Sequence, residues 1–134
     1  MEKPIFAVLA VLTLFLGLFL ITTAEAAENP ITTAFYEAAE YYDLDPILLM
    51  SIATLESGYG TSTLAQNRNN WFGWTRGDGS FMDFDSPEHC IWHVARAISN
   101  RPHDNIVQIA SWYNPQYLGT WSLGVLKIYD KIKL

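Results

Sequence analysis

The chain has 134 residues, one cysteine, 50% hydrophobic residues and a formal net charge of −6. That length holds one domain, a lone cysteine excludes an internal disulfide framework, and an acidic balance with no basic stripe excludes a nucleic-acid binder. Five Trp and seven Tyr suit a neutral sugar polymer gripped by aromatic faces, although small domains also fill their cores with aromatics.

Residues 1–26 read as a secretory segment. Lys3 supplies the early positive charge, residues 5–21 are an unbroken run of apolar, Gly and Thr residues, and Ala24-Glu25-Ala26 has the small-x-small pattern of a cleavage site. The apolar run exceeds the ~7–15 residues of a typical signal core and approaches the ~17–25 that span a bilayer. An uncleaved membrane anchor through residues 5–21 is therefore the alternative. Either way Lys3 keeps the N-terminus inside, so the domain at residues 27–134 is expected outside the cytoplasm: secreted, periplasmic or in the cell wall. No cysteine lies near the cleavage site, which excludes lipidation there.

After this segment, residues 31–42 predict a helix with Phe35, Ala38, Ala39 and Tyr42 at helical spacing. Asp43-Leu44-Asp45 breaks it, and Asp45 then caps a second helix with Pro46 at its first position. That helix, residues 46–57, is apolar on nearly every side, as befits the buried centre of a domain. Gly58-Tyr59-Gly60 stops it, and residues 62–66 allow one more helical turn. From residue 67 to 84, Asn, Gly and aromatics predict an irregular segment and a short β-hairpin turning at Gly77-Asp78-Gly79. Ser86-Pro87-Glu88 restarts a helix that runs to about residue 100. Further helices follow at 104–112, ended by Asn114-Pro115, and at 122–132, with Val125, Ile128, Tyr129 and Ile132 facing inward. The fold class is mainly α (α+β): about five helices around a buried central helix, plus one short hairpin.

Glu56 is the most informative side chain. It is the only charged residue between Asp45 and Arg68, and it sits at the end of the apolar helix beside a glycine-rich turn. Ile52 and Ala53 share its face. A carboxyl so placed is desolvated, which favours its protonated form. That is the state a general acid needs to protonate a glycosidic oxygen near neutral pH. A helix-end glutamate turned to solvent is the bland alternative.

Three blocks then carry a family resemblance. They are Leu55-Glu56-Ser57-Gly58-Tyr59-Gly60 with Ser62-x-Leu64-Ala65 and Asn69-Asn70-x-Phe72-Gly73; Phe81-x-x-Phe84-Asp85-Ser86-Pro87-Glu88; and Tyr113-Asn114-Pro115 with Trp121 beyond. In order and over nearly the whole domain they resemble the glucosaminidase domains of glycoside hydrolase family 73, which includes flagellar rod hydrolases and many autolysins. The resemblance implies a lysozyme-like fold and endo-β-N-acetylglucosaminidase action on the glycan strands of bacterial peptidoglycan. Under it Glu56 falls on the catalytic acid, Asn70, Phe72 and Gly73 on the groove-lining segment, and Tyr113 on the active-site tyrosine, with Tyr117 the alternate. Trp71 and Trp74 are candidates for stacking on sugar rings, and Tyr59 joins them from the glycine turn.

Many members of that family carry a second carboxylate in a longer hairpin. Here the hairpin is short and Asp78 is the acid at its tip, with Asp83 and Asp85 flanking the return. Three chemistries stay open: a second acid as base or nucleophile, the substrate's own acetamido group as nucleophile, or a lytic transglycosylase reaction run by Glu56. A muramidase of similar fold and a non-catalytic wall-binding module complete the alternatives. His89, Cys90, His93 and a distant His103 lack a clear zinc set, so no metal or cofactor is expected. Arg76-Gly77-Asp78 is explained by the turn itself. The expected partner is the glycan strand, and the expected state is a monomer.

Overall fold

The computed structural model describes residues 29–134. The expected signal or anchor segment lies outside the described residues. Six α-helices follow in order: α1 (Pro30–Tyr42), α2 (Pro46–Ser57), α3 (Thr63–Arg68), α4 (Pro87–Ser99), α5 (Ile106–Tyr113) and α6 (Leu118–Lys133), with one 3-10 turn, Pro115–Tyr117, before the last. The protein is mainly helical. Among the described residues no helix is long and apolar enough to cross a membrane.

Local sequence sets most helix ends. Asn29, Asp45, Ser62, Ser86 and Asn105 each accept a backbone N–H of the helix they precede, and proline opens α1, α2 and α4. Asp43, Gly58 and Asn69 close α1, α2 and α3 in the left-handed conformation. α2 lies at the centre, with α1 and α6 packed on it, α4 against α1 and α5 against α6. Leu49, Ile52 and Ala53 of α2 meet Phe35, Ile91 and Val125 in one continuous core.

The close approach of α6 to α2 is set at Gly124. A Cβ there would come within 3.3 Å of the Leu55 side chain, so a larger residue would require Leu55 to shift. Trp121 lies one turn earlier on α6, and the same approach delivers it to the end of α2.

Three expectations are corrected. The hairpin reduces to one isolated antiparallel bridge, Thr75 with Phe81, and no strand forms among the described residues. The backbone bonds across it are Met82 N–H to the Trp74 carbonyl at 3.0 Å and Arg76 N–H to the Ser80 carbonyl at 2.8 Å, and the Asn70 side chain donates to the Trp74 and Met82 carbonyls at its open end. The last helix starts at Leu118 rather than 122, carrying Gly119 in its first turn at a cost of ~1 kcal/mol or less relative to alanine. Burying Trp121 outweighs that. Its inward face is accordingly Trp121, Ser122, Val125 and Ile128, whereas Ile132 is exposed. Finally, α5 begins at Ile106 because Asn105, not an earlier residue, caps it.

Candidate active site

Glu56 is the penultimate residue of α2, and the turn after it is tied down. The Ser57 hydroxyl donates to the Ala53 carbonyl at 2.6 Å and accepts the Gly60 N–H at 2.8 Å. Ser57 is fully buried, so the end of α2 is fixed rather than frayed.

The irregular segment brings its own scaffold. Asn70 is 1% exposed, and its side chain makes three hydrogen bonds: to the Trp74 and Met82 carbonyls at 2.8 and 2.9 Å, and from the Trp74 N–H at 2.8 Å. These brace the base of the turn beside its own backbone bonds and hold residues 70–74 beside the end of α2. Gly73 sits there with φ +60°, and a Cβ on it would lie 3.8 Å from Glu56 Oε2. The left-handed backbone favours glycine there.

The other carboxyl oxygen is held. The indole N–H of Trp121 donates to Glu56 Oε1 at 2.5 Å. The Tyr113 ring stacks on Trp121 with centroids 5.1 Å apart and planes 25° from parallel, and its hydroxyl donates to the Phe72 carbonyl at 2.8 Å. Helix α2, the irregular segment, the end of α5 and α6 therefore converge on one carboxyl group.

Glu56 opens into a cleft of about 570 Å³ lined also by Phe72–Gly77, Arg101 and Trp112–Asn114. It is the one carboxylate among the described residues of this lining, and Arg76 and Arg101 are its cations. Burial raises the Glu56 pKa above the ordinary carboxylate value, and the Trp121 hydrogen bond partly opposes the rise. Burial, the Glu56 charge and then Cys90 push Tyr113 well above the ordinary phenol value, so its hydroxyl is neutral. A protonated acid with one oxygen fixed and the other facing a cleft can deliver a proton to a bound leaving group.

Of the expected site residues, the cleft gathers Glu56, Phe72, Gly73, Trp74 and Tyr113. Asn70 lies beneath it, with its polar atoms committed to backbone, and so positions the loop rather than lining the cleft. Trp71 packs its ring against Gly60, where a Cβ would be 2.7 Å from it. Tyr59 and Tyr117 are 68% and 59% exposed and outside the lining. Asp78 is exposed at the tip of its turn, accepting from the Ser80 N–H at 2.9 Å and hydroxyl at 2.7 Å. These bonds hold its pKa below the usual value. Asp83 pairs with Arg68 and Arg76, and Asp85 with His89.

Sequence reasoning missed Trp121 as a partner of Glu56, and Thr75, Arg76, Arg101 and Trp112 as lining. No local spacing signals a contact across 65 positions; the one available hint is an aromatic beside a glycine-bearing helix face. A second cavity of about 370 Å³, between Leu44, Leu48, Ile98 and Ile109, holds none of the expected residues.

The family model named Glucosaminidase, described as mannosyl-glycoprotein endo-beta-N-acetylglucosaminidase, matches residues 32–133. No curated protein matches the chain.

Proposed function

The chain belongs to the glucosaminidase family, a family of glycoside hydrolases, and from that premise we propose that it is an endo-β-N-acetylglucosaminidase of peptidoglycan with Glu56 as its general acid. One observation carries the reading: Glu56 is desolvated at the floor of a cleft, with Oε1 anchored by Trp121 and Oε2 beside Gly73. The proton on Oε2 passes to the glycosidic oxygen as the bond to C1 breaks. The Trp121 N–H then stabilises the carboxylate that remains, because an indole can only donate.

The positive charge growing at C1 needs a partner on the other face of the sugar. Glu56 is the one carboxylate among the described lining residues, which favours the substrate's own acetamido oxygen as the nucleophile. In that route the Tyr113 hydroxyl, whose hydrogen points at the Phe72 carbonyl, offers its oxygen lone pairs to the acetamido N–H. Trp74 and Trp112 supply the aromatic faces for sugar rings.

A lysozyme-like arrangement of the helices around α2 belongs to the same proposal. So does export, with the domain beginning near residue 27, the preceding segment serving as signal or anchor, and the domain acting as a monomer. Mass analysis of the mature N-terminus tests the export reading. Product analysis on purified peptidoglycan tests the chemistry. Reducing N-acetylglucosamine ends are expected. Reducing muramic ends would make it a muramidase, anhydro ends a transglycosylase, and binding with no products a wall-binding module.

A further inference from the structure

The two cations of the cleft are not equivalent. Arg76 is satisfied within its own turn: Nη1 donates to the Phe81 carbonyl at 2.5 Å and to the Ser80 hydroxyl at 3.4 Å, and Nη2 lies 3.6 Å from the Asp83 carboxylate. Arg101 has no ion pair and no side-chain hydrogen bond among the described residues. Its guanidinium carbon lies over the Trp112 ring, 4.7 Å from the centroid.

That placement is built. After α4 the Arg101 N–H donates to the Ile98 carbonyl at 3.1 Å, and the Arg101 carbonyl meets His103 Nδ1 at 2.5 Å. The Trp112 indole N–H donates to the Pro102 carbonyl at 2.9 Å. The ring and the loop that carries the arginine are therefore fastened to each other. Stacking engages the flat face of a guanidinium and leaves its five N–H donors at the edge. Arg101 is among the residues that line the cleft.

A neutral polymer of N-acetylglucosamine offers an unpaired cation hydroxyl and carbonyl acceptors but no opposite charge. A chain of net charge −6 also repels anions at long range. A local, oriented cation in such a chain points to a substrate that carries a carboxylate. Peptidoglycan glycan does. Each muramic unit has a lactyl carboxyl, free when the strand is stripped and amide-bonded when a peptide is attached, and the peptide bears carboxylates of its own.

We propose that Arg101, held on Trp112, is the anionic subsite of the cleft and takes a carboxylate of the muramic portion of the substrate. This rests on the reading of the cleft as a peptidoglycan site and adds to it the residue that selects for a muramic or peptide carboxylate. Arg101 acts in binding and selection. The Trp112–Tyr113–Trp121 ring contacts separate it from Glu56.

The test uses titration calorimetry on a protein made inert by Glu56→Gln, with three tetrasaccharides of the peptidoglycan repeat. One carries stem peptides, one is peptide-free with its lactyl carboxylates exposed, and one is peptide-free with those carboxylates converted to neutral methylamides. At least one acidic form should bind about tenfold or more tighter than the neutral one, the discrimination typical of a charge-assisted bidentate pair. Adding Arg101→Gln should collapse that ratio to near one, and Arg101→Lys should leave it intermediate, keeping charge without the fork. Preference for the peptide-bearing form alone assigns the carboxylate to the peptide; preference for the stripped form assigns it to the lactyl group. A ratio near one in the parent overturns the inference, as does a ratio that survives Arg101→Gln. So does an equal loss for all three sugars, which would make Arg101 a mere support for Trp112. Failure to bind any of the three overturns the glycan reading itself, and with it this one, a result distinct from binding without charge preference.

Discussion

Two acids in this molecule occupy opposite surroundings. Glu56 ends a buried helix, under a folded loop, with one oxygen held by an indole and a pKa raised by burial. Asp78 stands at the tip of a turn in full contact with water, its carboxylate taken by the N–H and hydroxyl of Ser80 and its pKa lowered. The first surroundings favour the protonated form of the carboxyl, the form that has a proton to transfer. The second keep a carboxylate ionised and occupied with its own backbone. A carboxyl's usefulness as an acid thus follows from what the chain has placed around it, and one short domain contains both extremes.

The most forceful way to break this comparison is Glu56→Gln. The amide keeps the volume and can still accept from Trp121, but it has no proton to give. Turnover of peptidoglycan should fall by about 10²–10⁴-fold, the usual contribution of general acid catalysis, with the circular dichroism spectrum and a cooperative melt retained. A folded variant that still cleaves at near the parent rate would remove Glu56 from its proposed role.

Trp121→Phe sharpens the comparison from the other side. It keeps the ring that stacks on Tyr113 and removes the N–H that favours the charged form of Glu56. The Glu56 pKa should therefore rise further. Because a general acid works while protonated, activity is lost as pH rises through that pKa, so the alkaline limb of the kcat profile should move to higher pH. Stability should drop by ~1–3 kcal/mol, since a half-buried carboxyl oxygen loses its partner. A limb that moves to lower pH would contradict the bond as the control on Glu56.

Much of this contrast was legible in the sequence, for identifiable reasons. Glu56 stood alone among apolar residues at helical spacing, and Asp45, Ser86 and their following prolines marked helix starts by short-range chemistry. Gly77-Asp78-Gly79 announced a turn, and a turn is indeed where Asp78 lies. Trp121 was not legible as the partner of Glu56, because the contact depends on how closely α6 approaches α2 at Gly124, a tertiary distance with no local pattern. Asn70 was read as a cleft residue because it adjoins Phe72 and Gly73. Only the fold shows its amide spent on Trp74 and Met82, at the base of the turn that the expected hairpin became. Arg101 lay outside every motif. Its position depends on the α4–α5 loop closing onto Trp112, which spacing alone does not encode.

A smaller effect lies in the pH dependence of stability. With the Glu56 pKa higher folded than unfolded, the folded state binds the proton more tightly, and stability falls as pH rises from the unfolded value near 4.5 through the raised one. Below that window the group is protonated in both states and contributes nothing. Glu56→Gln removes the penalty, so the melting temperature of the variant relative to the parent should be higher at pH 7 than at pH 4. A difference that is flat across this range would mean that burial does not perturb Glu56.

The smallest expected effect belongs to Asp78→Asn, and it decides whether the comparison is complete. Asparagine tolerates turn positions and its side-chain oxygen still accepts from Ser80, so the turn should persist. The substitution removes only the charge. If Asp78 is confined to its turn, peptidoglycan cleavage should change by no more than about twofold, as for exposed positions away from any site. The sign of the stability change is also fixed. A folded pKa below the unfolded one contributes stability that is present above the unfolded value and lost as pH falls through the folded one. Asp78→Asn should therefore cost a little at neutral pH and nothing in strong acid. The decisive reading is the rate. A loss approaching that of Glu56→Gln would mean that the turn swings its tip into the cleft when glycan binds and presents Asp78 as the base or nucleophile. A mild loss, with equally mild losses for Asp83→Asn and Asp85→Asn, leaves Glu56 as the acid and the substrate's acetamido group as the partner that no protein carboxylate replaces.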